Sequence, residues 1–195
     1  MLVHMLTTAA ARRWPAPTAL MAVAGSVSEA AAAVGAGADL VDLGSAEPET
    51  IAEFRACCPG ILVCAAGETA DLTSDPAVAL ATGGLMICPG PDAARASRLP
   101  AVRLVVEVPP GEVQQAQQAG WSALVDADRS ADLAAAHARH GRTAVSGIVA
   151  MAAVSFLLGA AVIRTRHPFQ VRRALDMAAC VQGTRPPART VRGLA

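Results

Sequence analysis

From Pro17 onward the chain alternates short apolar runs with alanine- and glycine-rich stretches, and this alternation limits the fold more than any other feature. The runs are Ala19–Val23 (ALMAV), Asp39–Leu43 (DLVDL), Ile61–Ala65 (ILVCA), Leu85–Cys88 (LMIC), Arg103–Val108 (RLVVEV), Ser122–Asp126 (SALVD) and Ala161–Arg164 (AVIR). Each is short and nearly continuous in apolar character, the pattern of a strand buried on both faces. Between them the spacing turns helical. Ser26 with Glu29 forms a capping box for a helix through about Val34, ended by Gly35 and Gly37. Pro48 opens a helix to about Cys57, and Ser74-Asp75-Pro76 opens one that stops at Gly83-Gly84. Further helices are expected over Asp92–Arg98, Glu112–Ala119, Ala131–His140 and from Pro168 onward.

Strands that alternate with helices across short connections build a parallel sheet covered by helices. Eight such units close into a compact TIM-like (β/α)8 barrel, and 195 residues is just under its usual lower bound of about 200. The seventh strand is the weak one. Thr143–Val145 reads as a strand stub, or else Thr143–Leu158 is a single helix and the barrel is incomplete or completed by a partner chain. An open doubly wound sheet is the alternative, without the G-x-G-x-x-G turn that would support it.

Charge excludes some partners. Sixteen basic residues balance sixteen acidic ones, so no net field draws the chain to nucleic acid or an anionic membrane. All the basic residues are arginine, and the chain has neither lysine nor asparagine, which excludes any mechanism needing an ammonium or that amide. Hydrophobic residues make up 53% and aromatic ones only 3%, so the core is built from Ala, Val, Leu and Gly at close quarters. The five cysteines show no C-x-x-C pair and no metal spacing, the usage of a reducing cytoplasm, and neither a metal nor a cofactor is expected. Cys64 and Cys88 stand near strand ends, where an inert buried thiol and a reactive one are both open.

Residues 1–16 read as a flexible leader, 17–183 as the barrel, and 184–195 as an Arg/Pro-rich surface tail. Thr143–Ile163 holds 21 residues without a charge, long enough to cross a bilayer. Its glycines, alanines and serines suit a packed helix running into a buried strand, and no membrane association is expected.

In such barrels the site lies at the C-terminal ends of the strands. This places Asp42, Glu68, Glu107, Asp126, Asp128, Arg164 and Arg166 on one rim, with His167 just beyond. Arg164 and Arg166 share a strand face, and two converging guanidinium groups can clamp a phosphate or carboxylate. Equally, they can cap the barrel by pairing with Asp126 or Asp128. Asp42 is either a ligand partner or a satisfied strand-end carboxylate. Glu107 either accepts a hydrogen bond from a heterocycle or joins a rim ion pair. His167 either helps hold an anion or serves the turn before Pro168. His137 and His140 sit late in a helix and are expected in solvent.

The segment Gly159–Gly183 resembles the last βα unit of the dihydropteroate synthase (pterin-binding) family, whose GA-x-[VI]-[VI]-R-x-H run binds the pyrophosphate of the pterin substrate. Arg164 falls on the family arginine and Arg166 on the usual histidine position. Gly37–Gly44 (GADLVDLG) is similar to the family's second strand, and Ala19–Val23 to its first. Family members use this barrel to join a pterin pyrophosphate to p-aminobenzoate. The departures are as telling. N-V-T-P-D-S-F is replaced by AVAGSVSEA, and G-E-S-T-R-P-G by SAEPET. D-P-G-x-G-F is missing, with Asp126-Ala127-Asp128 in its region, and a serine-arginine-lysine motif cannot exist without lysine.

The resemblance therefore implies a degenerate paralogue with shortened βα loops and no catalytic residues. It would bind a pterin or phosphate-bearing ligand through Asp42, Glu107, Asp126, Asp128, Arg164, Arg166 and His167, or act in a regulatory role. A divergent folate-pathway transferase and a structural, oligomer-forming barrel without ligand are the alternatives. A cytoplasmic homo-oligomer, a homodimer, is the expected assembly.

Overall fold

The computed structural model describes residues 18–129 and 145–186. Eight parallel strands close into a barrel in chain order. They are β1 (Ala19–Val23), β2 (Leu40–Asp42), β3 (Leu62–Cys64), β4 (Leu72–Thr73), β5 (Leu85–Cys88), β6 (Leu104–Glu107), β7 (Ser122–Asp126) and β8 (Val162–Thr165). Closure is made by β8 against β1, where Ala19 faces Val162 and Ala22 faces Thr165.

Seven α-helices cover the barrel among the described residues: α1 (Val27–Gly35), α2 (Pro48–Cys57), α3 (Pro76–Thr82), α4 (Pro91–Ala96), α5 (Val113–Gln118), α6 (Val145–Leu157) and α7 (Pro168–Val181). Their starts follow local chemistry. The Ser26 hydroxyl accepts from the Glu29 amide at 3.2 Å, and the Glu29 carboxylate accepts from the Gly25 amide at 2.8 Å. Asp75 caps α3 by accepting from the Ala77 and Val78 amides, and Gly83 ends that helix in the left-handed region at φ 72°.

The eight strands are not the eight expected. Val145 opens helix α6, so the strand stub at Thr143–Val145 does not form there; Thr143 itself lies outside the described residues, as do Ala131–His140. The additional strand is β4, in a stretch to which the sequence assigns no element. It has two residues, too few for any periodicity to register. Its neighbours place it. The Asp71 carboxylate accepts from the Val63 amide at 3.0 Å and from Arg55 at 2.8 Å, which holds the chain beside β3. Leu72 then pairs with Cys64 on one side and Leu85 on the other. Residues 65–71 between β3 and β4 hold no helix, so six of the seven crossovers carry a helix among the described residues, and α7 follows β8.

The uncharged segment divides into the 13-residue α6, a turn at Gly159 and β8. Among the described residues no helix is long and apolar enough to cross a membrane.

Strand alternation sorts the core. Ala19, Met21, Leu40, Leu72, Leu85, Ile87, Val105, Leu124 and Val162 fill the barrel interior. Leu20, Val106, Val125 and Ile163 face outward and pack with the helices in one cluster; Ala22, Val41, Val63 and Phe54 form another. Helix α7 is latched to the bottom of the barrel by Arg172, which donates to the Gly37 carbonyl at 2.8 Å and pairs with Asp39. Gly37 is at φ 98°, and a Cβ there would lie 2.9 Å from the Arg172 side chain.

Candidate functional site

The period of two that fills the interior also builds the site. Asp42 lies two residues after Leu40, Glu107 after Val105, Asp126 after Leu124 and Arg164 after Val162. Each continues the inward face of its strand at the C-terminal end. The pairing then aligns them, with Asp126 opposite Arg164 and Glu107 opposite Leu124.

Arg164 is the centre of this layer. Its Nε donates to Asp126 Oδ2 at 3.0 Å, and one terminal nitrogen donates to the same oxygen at 2.7 Å and to Glu107 Oε2 at 3.0 Å. The other terminal nitrogen is 3.8 Å from Asp42 Oδ2. The side chains of Arg164, Asp126 and Asp42 are 14%, 11% and 15% exposed, so these charges interact with little water between them. Burial pulls the Arg164 pKa down, but its hydrogen bond to Asp126 and the charges of Glu107, Asp126 and Asp42 outweigh it and raise it above the ordinary value.

Above this layer opens a hollow of about 430 Å³, lined by Asp42, Glu107, Asp126, Arg164 and Arg166, together with Ser74 and Arg129. Five of the seven site residues expected from sequence therefore converge. Asp128 is engaged elsewhere, accepting from the Thr165 hydroxyl at 2.8 Å and the Arg166 amide at 2.7 Å. His167 precedes α7 and lines a second hollow of about 750 Å³, between the β1–α1 turn and the start of α7. Glu68 is exposed on the β3–β4 loop, and His137 and His140 lie outside the described residues. The two-arginine clamp is not what the strand end builds. Arg164 is committed to acids, which is the pairing reading, and Arg166 alone of the two has no ion pair among the described residues.

Sequence reasoning missed Arg129, whose side chain lies 3.9 Å from both Glu107 and Asp126. Its signal was the three-residue spacing from a strand-end acid. Cys64 was also missed as a partner of the site. Burial first, then the charge of Asp42 and a hydrogen bond to it, push the thiol pKa well up, against a smaller opposing pull from Arg164. Burial raises Cys88 as well. Burial and the upward direction favour the inert reading over the reactive one for both thiols.

The raised thiols carry a pH signature. Above roughly pH 8.5 the unfolded chain loses these protons while the folded chain keeps them, so stability is full below that pH and declines above it. The decline is expected to approach about 1.4 kcal/mol per pH unit for Cys64, whose shift is large. Urea unfolding between pH 8 and 10 reads the slope, and Cys64→Ala should flatten it. An unchanged slope in that variant refutes the assignment.

Among the described residues no group of three or more histidine, cysteine, aspartate or glutamate side chains is arranged to hold a metal. The three acids converge instead on a guanidinium.

A closed parallel eight-stranded barrel with charged side chains at the C-terminal strand ends belongs to the TIM-barrel class of α/β proteins. Within that class, the chain is similar in one segment to inactive dihydropteroate synthases and in fold to dihydropteroate synthases. It is 45% identical over 51 residues to the inactive dihydropteroate synthase 2 of Mycobacterium leprae, and equally to that of Mycobacterium tuberculosis. The matched segment is 26% of this chain but only 18% and 16% of those relatives, so the chain matches less than a fifth of their length. No family model matches. The fold agreement is wider. The dihydropteroate synthase of Xanthomonas albilineans, solved with indole-2-carboxylic acid and 6-chloroguanine, superposes with a TM-score of 0.72 at 12% identity, over 85% of this chain and 93% of that one. The Mycobacterium tuberculosis protein Rv1207 superposes with a TM-score of 0.63 at 19% identity, over 88% and 96%.

Proposed function

We propose that this is a dihydropteroate synthase-like protein without synthase activity, which binds a pterin-type heterocycle at its rim and acts by binding. One observation carries the reading. The guanidinium that the family resemblance aligns with pyrophosphate binding is already held by Asp126 and Glu107. A pyrophosphate approaching it would have to compete with carboxylates that are in contact and largely desolvated.

The chemistry of the hollow favours a different ligand group. Asp42 Oδ1 accepts from the Gly44 amide at 2.9 Å, while its Oδ2 is 3.8 Å from Arg164. Glu107 Oε1 is 3.9 Å from Arg129. These two oxygens are the least engaged acceptors of the layer, and they suit the adjacent N–H donors of an aminopyrimidinone edge. Arg166, at the same hollow, supplies a cation for any anionic part of the ligand. With no lysine and no asparagine, the chain lacks the groups with which the family assembles its two substrates. The name of the curated relatives, inactive synthases, points the same way.

Thermal unfolding with pterin, pterin pyrophosphate and inorganic pyrophosphate tests this. A ligand at a hundred times its dissociation constant stabilises the fold by about 2.7 kcal/mol, a rise of several degrees in Tm for a chain of this size. Pterin and pterin pyrophosphate are expected to give that rise at lower concentration than pyrophosphate. No shift with any of the three at millimolar concentration overturns the proposal.

A further inference from the structure

The tips of β7 and β8 are laced together through Asp128. The Asp128 amide donates to Asp126 Oδ1 at 3.0 Å, which ties it to the same acid that holds Arg164. Its carboxylate then reaches across to β8. One oxygen accepts from the Thr165 hydroxyl at 2.8 Å, and the other accepts from the Arg166 amide at 2.7 Å. The Thr165 oxygen, fully buried, in turn accepts from the His167 amide at 3.0 Å. Apart from the link to Asp126, each of these hydrogen bonds runs into the three residues that turn β8 into α7.

Arg166 stands in the middle of that turn. With Val23, it is shared by the 430 Å³ and 750 Å³ hollows, so its guanidinium lies where they meet. Among the described residues no acid pairs with it. Its side chain is long and exposed, and only the backbone from which it leaves limits where it points. That backbone is held from β7 by a single side chain, and Asp128 lines neither hollow.

We propose that Asp128 is a positioning residue for Arg166 rather than a ligand contact. It clamps the Thr165–His167 turn so that the Arg166 guanidinium is presented to an anionic group at the junction of the two hollows. An aspartate suits the task because it offers two acceptors to two donors at once. Asparagine can keep both links, its oxygen taking the Arg166 amide and its NH2 donating to the Thr165 oxygen. Alanine can keep neither. The inference rests on the reading of the rim hollow as a ligand site.

Two measurements decide it. The first needs no ligand: backbone 15N relaxation in Asp128→Ala should lower the order parameter of the Arg166 amide from a rigid value of about 0.85 to below about 0.6. Asp128→Asn should leave it near the rigid value. The second uses pyrophosphate as the probe. Asp128→Ala should weaken its binding about tenfold, as Arg166→Ala does, the worth of one charge-assisted contact. The double variant should be no weaker than either single one, and Asp128→Asn should bind within about threefold of the unchanged protein, since its links to the turn survive. A rigid Arg166 amide in Asp128→Ala, or additive losses in the double variant, overturns the positioning role. A loosened amide in a protein that never bound pyrophosphate instead removes the ligand reading of Arg166, and the two failures are thereby told apart.

Discussion

Replacing Arg164 with methionine is expected to destabilise the fold by about 3 kcal/mol, the lower end for breaking a buried ion pair by removing one partner. The acids around it explain the size. Asp126, Glu107 and Asp42 converge on one guanidinium, and without it three carboxylates share a part-buried rim whose remaining cations among the described residues, Arg129 and Arg166, are both exposed. Methionine keeps the length and apolar stem, so packing is largely preserved and the lost charge is what is measured. Urea denaturation reads the change directly, and Tm should fall by roughly 6–12 °C in a chain of this size. Arg164→Lys should recover part of the loss, because an ammonium restores charge but cannot reproduce the fork that meets Asp126 and Glu107 together. A loss below about 1 kcal/mol in the methionine variant would show that the acids are solvated enough not to need the arginine. It would also remove the argument that Arg164 is withheld from a ligand.

Phe54→Ala is expected to cost about 4 kcal/mol, within the range for deleting a buried phenylalanine. Phe54 is fully buried on α2 and is the largest such side chain among the described residues. Its cluster contains Ala22, Ala24, Ala30, Ala33, Ala38, Ala65 and Ala70. Alanine has no side-chain torsion to adjust, so no neighbour of that type can swing into the space left behind, and the cavity persists. The alanine-rich composition thus concentrates core stability in a few large residues. Phe54→Leu should cost less than about 1.5 kcal/mol, since most of the volume is retained. A loss below about 2 kcal/mol for the alanine variant would mean that α2 moves inward to close the gap.

The site was legible in the sequence to the extent that strand parity could be read. Asp42, Glu107, Asp126 and Arg164 each end a strand on its inward face, and a period of two shows this without any structure. What each does there could not be read, because ion pairing depends on which strand ends meet across the mouth of the barrel. Arg164 and Arg166 look equivalent in sequence. The barrel gives one of them three acids and the other none among the described residues. Asp128 shows the same limit: its distance from Asp126 suggests a second rim acid, but the geometry turns it towards the β8–α7 turn.

The order of apolar runs and helical stretches by itself determined a parallel sheet covered by helices, because each run is buried on both faces and each connection is long enough for a crossover. It marked most helix starts too, through side-chain caps at α1 and α3 and prolines in the first turn of α2, α3, α4 and α7. Tertiary structure alone decided how the barrel reaches eight strands. Leu72–Thr73 becomes a strand because β3 and β5 stand on either side with unpaired backbone groups, and Asp71 holds it in place. A two-residue strand has no pattern of its own to announce it; its hydrogen bonds belong to its neighbours.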